Sequence, residues 1–365
     1  MCEGKKLKVG IIGCGGIANG KHMPALRNLD VCEMVAFCDI IIERAEEAKR
    51  DYGTEDSKVY EDYRELLADE TIDVVHVCTP NRAHSFITVD ALEAGKHVMC
   101  EKPMAINSEE ALKMLEAARR TGKKLTIGYQ SRQTNANRYL KREAEEGTFG
   151  DIYYARAIAL RRRAVPTWGV FLDEKEQGGG PLIDIGTHAL DMTLWIMDNY
   201  KPKYCVGSVY HKLNDQTETA NAFGDWDPEK FTVEDSAFGY VVMENGATIS
   251  VESSWAINML DTVEASTILC GTKAGGQKIE DRVRINGIRQ GRQYDYSPNL
   301  NSGGVAFYDG GGNEDSATRE ARQWYNAIIN DTDPCVLPEQ AYVVTRILEG
   351  IYTSAKTGEI YRFEN

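Results

Sequence analysis

The fold turns on one stretch near the start of the chain, Lys8-Val9-Gly10-Ile11-Ile12-Gly13-Cys14-Gly15-Gly16-Ile17-Ala18. An apolar, β-branched run enters a glycine cluster, and the residues beyond it, through Leu26, carry a helical pattern. In Gly13-x-Gly15-x-x-Ala18 the first glycine makes the turn and the second lets backbone approach a pyrophosphate. The small third residue lets helix and strand pack. Free N–H groups at the helix start favour an anion, so Gly13, Gly15, Gly16, Ile17 and Ala18 are candidate cofactor contacts. Alone the motif is short enough to be an ordinary turn. Its weight comes from a second strand, residues 33–38, which ends in Asp39 about twenty residues further on, where a carboxylate meets the adenosine ribose diol. A carboxylate there repels a 2′-phosphate, which favours NAD over NADP; Arg44, nearby, softens that preference.

Working outward, the first third of the chain alternates short apolar runs with helical patterns. Strands are expected at Leu7–Ile12, 33–38, 74–78, His97–Cys100 and 124–128, and helices at 41–52, 82–93 and 108–120. Continuous apolar strands separated by helices give a parallel sheet covered on both faces, a doubly wound α/β domain over residues 1–128. After Gly128 the strands lengthen and alternate in polarity: Ile152–Leu160, 204–213, Ser236–Met243, 248–255 and 262–269. This predicts an α+β domain over 129–365 with a large, mostly antiparallel sheet. Helices are expected at 317–330 and Pro338–Thr357. Residues 277–313, rich in Gly, Asn, Asp and Tyr, read as turns and long loops.

Bulk properties narrow the function. The chain has 365 residues, longer than one core usually grows, so two domains are expected. Its 56 acidic against 42 basic residues give a formal charge of −14, which repels nucleic acid and anionic membrane. No signal-peptide pattern or spanning apolar run is apparent, and the nine cysteines lack a paired framework; a reducing, cytoplasmic setting is expected.

Two further motifs carry chemistry. Thr79-Pro80-Asn81 and Glu101-Lys102-Pro103 follow strands, at the carboxyl end of the sheet where open α/β folds bind ligands. Lys102 at such a tip can donate to a hydroxyl or carbonyl oxygen; the alternative is a surface lysine paired with Glu101. In Gly178-Gly179-Gly180-Pro181-Leu182-Ile183-Asp184-Ile185-Gly186-Thr187-His188, three glycines make a flexible approach to a helix. On an ideal helix Asp184, His188 and Asp191 share one face. That face is a solvated surface or half a zinc site; no HExxH or Cys/His cluster completes a metal site, and none is expected.

These motifs together resemble the Gfo/Idh/MocA oxidoreductases, a family of sugar and inositol dehydrogenases. The resemblance rests on the glycine turn, Thr79-Pro80-Asn81 with His84, Glu101-Lys102-Pro103, Gly147-x-x-Gly150, and Asp184-x-Gly186-x-His188, and covers nearly the whole chain. It implies a Rossmann domain followed by an α/β domain with a large open sheet. Dimers or tetramers through that sheet are common in the family. It also implies an NAD-dependent enzyme oxidising a secondary hydroxyl of a sugar, glycoside or cyclitol. Lys102 and His188 would flank the carbinol, and Asp184 would bind substrate hydroxyls. Thr79, Pro80, Asn81, His84, Glu101 and Lys102 join the cofactor contacts. Tyr129, Arg132, Arg162 and Trp168 are candidate substrate contacts, Trp168 by stacking on a sugar face. Two alternatives stay open: a glycosidase that oxidises C3 transiently and keeps its NAD, and a non-catalytic NAD-binding sugar sensor.

Overall fold

The computed structural model describes residues 6–300 and 314–364. The chain folds as two compact units, one of residues 1–130 with 314–342, the other of residues 131–313 with 343–365.

The first unit is a parallel sheet of β1 (Leu7–Ile12), β2 (Cys32–Cys38), β3 (Lys58–Tyr60), β4 (Val74–Val77), β5 (His97–Cys100) and β6 (Leu125–Ile127), in the order β3-β2-β1-β4-β5-β6. This is the doubly wound order in which the chain reverses direction beside β1. The apolar runs of β1 and β4 are buried because helices cover both faces. Strand β3 is a short three-residue edge that sequence periodicity does not reveal.

A division after residue 128 assigns everything beyond it to the second domain, but residues 314–342 belong to the first unit. The physical cause is burial. Helix Ser316–Ile329 places Ala321, Trp324 and Tyr325 in the same apolar cluster as Val9, Met23, Leu26 and Phe37.

The second unit is built on nine strands. The first four are β7 (Ile152–Leu160), β8 (Pro202–Tyr210), β9 (Ser236–Met243) and β10 (Thr248–Ser254). They are followed by β11 (Ser266–Gly271), β12 (Ala274–Ile279), β13 (Arg282–Arg289), β14 (Arg292–Tyr296) and β15 (Tyr361–Arg362). The order is β14-β13-β12-β11-β7-β10-β9-β8-β15, antiparallel except for the central β7–β10 pair. Residues 277–296, expected as loops, hold half of β12 and all of β13 and β14; 301–313 of that stretch lie outside the described residues. The glycines and charges that suggested loops instead suit an exposed edge, since β14 is exposed along its length.

One face of this sheet is covered by helices. Gly207 and Gly239 admit Ile351 of helix Pro338–Thr357 so closely that a methyl at Gly239 would lie 2.7 Å from Ile351 Cγ1. On the opposite face Val206 and Tyr240, cross-strand partners, remain 40% and 43% exposed. No described helix is long and apolar enough to cross a membrane.

Candidate active site

In the first unit the glycine turn is held from below and open above. Gly13 has φ +89°, and a Cβ there would lie 2.7 Å from the Cys78 carbonyl group, so only glycine fits. Gly15 and Gly16 have no atom within 4 Å of their Cβ positions. That clearance is what a diphosphate lying on backbone requires. Ile17 is exposed and Ala18 is buried against the core. The helix after the turn begins with π-helical winding over Ala18–His22 before its α-helical part, Met23–Arg27.

Asp39 is 8% exposed, and its carboxylate accepts from the backbone N–H of Cys14 at 2.8 Å and of Ile41 at 2.9 Å. The acid at the end of β2 is thus tied to the glycine turn. Thr79 Oγ1, beside Gly13, is buried with no hydrogen-bond partner among the described residues. The cleared glycines, the adjacent carboxylate and this orphan hydroxyl together fit a dinucleotide.

The strand tips after β4 and β5 are braced by His84. Its Nδ1 lies 2.7 Å from the Pro103 carbonyl oxygen and its Nε2 2.9 Å from that of Thr79. Burial holds its pKa below the usual value, although both carbonyls favour the proton. A neutral ring donates to only one of them. His84 is 1% exposed, so it ties the two tips together from within, whereas the sequence suggested a cofactor contact. Asn81, 9% exposed, opens helix Asn81–Glu93 just beyond Pro80.

Behind Lys102 lies a buried polar network. Glu101 Oε1 accepts from Lys21 Nζ at 2.6 Å and from His22 Nε2 at 2.7 Å, and Glu101 Oε2 accepts from the Lys102 backbone N–H at 3.0 Å. Lys21 also meets Glu320 at 2.9 Å and Gln130 at 3.2 Å. Burial alone would raise the Glu101 pKa, but Lys21 and His22 outweigh it and hold the carboxyl well below its usual range. Burial would likewise strip the proton from Lys21, yet Glu101 and Glu320 keep it above its usual value. With Glu101 ionised, His22 must donate through Nε2. Its Nδ1 therefore accepts from His76 Nδ1 at 2.9 Å, and His76 Nε2 accepts from the Tyr325 hydroxyl at 3.1 Å. Every proton in the chain is assigned with both rings neutral, in keeping with pKa values that burial lowers at His22 and His76. The sequence marks neither His22 nor Lys21; their signal is only two polar side chains one helical turn beyond the glycines. Lys102 itself is half-buried after this anchor, and its peptide bond to Pro103 is cis.

In the second unit, Asp184 sits on a π-helical turn, Leu182–Gly186, and His188 follows in helix Thr187–Met197. Asp184 Oδ2 accepts from Trp255 Nε1 at 3.1 Å, and Trp255 is fully buried. The π-helical winding at 182–186 breaks the α-helical spacing between Asp184 and the two residues after it, and the Asp191 carboxylate is taken by Arg132, Nε at 3.0 Å and Nη2 at 2.6 Å. Both side chains of that pair are 0% exposed. This overturns Arg132 as a substrate contact; Tyr129, 1% exposed, is likewise buried.

The arginine run divides. Arg161 pairs with Glu264 at 2.6 Å, and Arg163 donates to Asn258 at 2.7 Å. Arg162 is exposed. Trp168 is 53% exposed and packs edge-on to Phe223 at 4.9 Å between ring centroids, leaving much of its surface to solvent. Among the described residues no group of three His, Cys, Asp or Glu could hold a metal ion. Cys14, Cys32, Cys38, Cys78, Cys100 and Cys205 are buried and unbridged.

Residues 7–129 match the model of an oxidoreductase family with an NAD-binding Rossmann fold, GFO/IDH/MocA, and residues 137–276 match the GFO/IDH/MocA C-terminal domain. The chain is 33% identical to a D-glucoside 3-dehydrogenase of Escherichia coli over 352 residues, 96% of each chain. It is 32% identical to a myo-inositol 2-dehydrogenase of Thermotoga maritima over 204 residues, 56% of this chain and 59% of that enzyme. Among solved structures, a levoglucosan dehydrogenase in complex with NADH and L-sorbose superposes with a TM-score of 0.84 at 23% identity, over 99% of this chain and all of that one. An oxidoreductase domain protein from Kribbella flavida gives 0.86 at 23% identity, over 99% and 100%. Both share the fold.

Proposed function

The chain belongs to the GFO/IDH/MocA oxidoreductase family, and from that premise we propose that it is an NAD-dependent dehydrogenase of a secondary hydroxyl on a sugar, glycoside or cyclitol. The observation that carries this reading is the Glu101-Lys102 tip, anchored by a buried ion network beside a glycine turn whose upper side is clear. A binding module has no need of a lysine whose backbone is fixed so firmly at that edge.

Gly13, Gly15, Gly16 and Ile17 would hold the pyrophosphate and Asp39 the ribose diol, with Thr79, Pro80 and Asn81 nearer the nicotinamide. When bound, the nicotinamide supplies a hydride acceptor. His188 takes the hydroxyl proton as the carbinol is oxidised, and returns it in the reverse direction. Lys102 stabilises the developing alkoxide. Asp184, oriented by Trp255, accepts from a neighbouring substrate hydroxyl, and Trp168 and Arg162 would meet the substrate's remote end. NAD is favoured over NADP because Asp39 would face a 2′-phosphate. The exposed sheet face bearing Val206 and Tyr240 would join two or four copies in a cytoplasmic enzyme.

The test is a panel of free sugars, glycosides, sugar phosphates and inositols with NAD, following reduced cofactor. Stoichiometric NADH is expected. Release of an aglycone without net NADH would make the protein an NAD-retaining glycosidase. Cofactor binding without turnover of any member would leave a sensor. His188→Asn should abolish hydride transfer and leave NADH affinity unchanged; an unchanged rate removes His188 from the mechanism.

A further inference from the structure

Gly179 and Gly180, before Asp184, are not a flexible approach. A methyl on Gly179 would fall inside contact distance of the Tyr352 hydroxyl, and one on Gly180 would fall inside contact distance of the Glu234 carbonyl oxygen. The backbone is bare here because the Tyr352 side chain and both the backbone and the side chain of Glu234 press against it. Glu234 Oε2 accepts from the Gly180 N–H at 2.7 Å, while Oε1 accepts from the Leu182 N–H at 3.1 Å and from the Tyr352 hydroxyl at 2.8 Å. Glu234 is 3% exposed. One buried carboxylate therefore collects two N–H groups at the start of the π-helical turn, where the helical dipole favours a negative charge. From the sheet side Ser253 Oγ donates to the Pro181 carbonyl oxygen at 2.6 Å.

We propose that Glu234, held by Tyr352, is a positioning residue for the dehydrogenase reaction: it fixes the turn that carries Asp184 and the helix that carries His188. This rests on the roles proposed above for those two residues. Trp255 orients the Asp184 carboxylate from the side, but nothing in that bond sets where the helix begins. The Glu234 clamp does, and a displacement of about 1 Å at a reacting group can cost about 100-fold in rate. Burial pushes the Glu234 carboxyl up to about 7. Tyr352, from helix Pro338–Thr357, is the ionisable group that touches it, and Glu174 acts on Tyr352. Protonation removes one of the acceptor oxygens, so the clamp loosens in acid.

Glu234→Gln and Tyr352→Phe test this beside His188→Asn. Hydrogen exchange over residues 178–190 should be at least about tenfold faster in both clamp variants, a loss on the scale of one charge-assisted hydrogen bond. With the fastest sugar of the panel, kcat/KM should fall about 10- to 100-fold, NADH affinity should hold, and the double variant should lose no more than Glu234→Gln alone. The acid limb of kcat, set by both His188 and Glu234 in the wild type, should become a single-proton limb in Glu234→Gln. Should Glu234→Gln fail to fold, Tyr352→Phe, which removes one hydrogen bond, carries the test. Unchanged exchange in Tyr352→Phe overturns the clamp. So does kcat/KM within twofold of wild type in both variants, or activity loss that merely follows the unfolded fraction, while His188→Asn is inactive. A fully active His188→Asn instead overturns the catalytic reading and leaves the exchange result to judge the clamp.

Discussion

Lys21→Met removes one ammonium from between two carboxylates and changes little else, because methionine has almost the same length and volume. Lys21 is 8% exposed, and Glu101 and Glu320 are 3% and 7%. In the native unit one positive charge sits against two negative ones at 2.6 and 2.9 Å; in the variant the two carboxylates face each other unneutralised. Breaking a buried pair by deleting one partner costs about 3–5 kcal/mol, a large share of the roughly 5–15 kcal/mol that a domain possesses. Taking about 4 kcal/mol, the melting temperature should fall by about 8–16 °C for a body of this size.

The pH dependence follows from the same charges. In the wild type Glu101 is held below its usual 4.5, so its stabilisation is present above that value and is lost as pH falls through the lower native pKa. Lys21 is held above its usual 10.5, so its contribution is complete below that pH and is lost as pH rises through the higher native pKa. Between pH 5.5 and 8 Glu101 and Lys21 therefore contribute no slope, whereas His22 and His76, held neutral by burial, cost stability as pH falls below their usual 6.5 in wild type and variant alike. In Lys21→Met one carboxyl must bind a proton in the folded state, with a raised pKa, so the deficit relative to wild type should grow as pH rises from about 5 to 8. Thermal and urea melts followed by circular dichroism at both ends of that window measure this. Adding Glu320→Gln restores the native count of one net negative charge and should recover part of the loss. A deficit under about 1 kcal/mol, independent of pH, would mean that water reaches these groups and that the network is not buried as described.

Two further outcomes are accessible by titration and sedimentation. NADH should bind more tightly than NADPH by fluorescence titration, and Asp39→Ser should narrow that ratio about tenfold or more, the worth of a charged hydrogen bond; equal wild-type affinities would remove the preference. Tyr240→Glu, which places a charge on the exposed sheet face beside Val206, should shift a wild-type dimer or tetramer toward monomer in analytical ultracentrifugation, and a monomeric wild type would refute assembly through that face.

The first unit was legible where the signal is local. A β-branched run, glycines at fixed offsets and an acid about twenty residues on all act within one strand–turn–helix, and β1, β2 and the glycine turn lie where the pattern puts them. Helix 316–329 was visible as a helix, but its membership of the first unit was not. Amphipathic spacing says that a face will be buried; it does not say against what, and Trp324 and Tyr325 find their partners about 300 residues earlier in the chain. Strand β14 was missed for another reason: an exposed edge strand carries polar and charged side chains on both faces, so the alternation that marks a half-buried strand is absent. Strand β13 does alternate, with Val283 and Ile285 buried between exposed polar residues, and was passed over because of the glycines and polar residues around it.

The site shows the same division more sharply. Lys102 and His188 stand out because their neighbours are odd: a proline after the lysine, glycines before the histidine. The residues that hold them in place carry no such mark, since a buried acid such as Glu101 or Glu234 reads in sequence like any of the 56 acidic residues. A carboxylate is forced into the interior only if several donors converge on it, and that convergence belongs to the tertiary fold. For Glu101 the donors come from residues 21, 22 and 102, and for Glu234 from residues 180, 182 and 352. The triple glycine was therefore the one local trace of the second clamp. Its reading as flexibility failed because absence of side chains has two opposite causes: a backbone that needs freedom, or a backbone so closely covered that nothing larger than hydrogen fits.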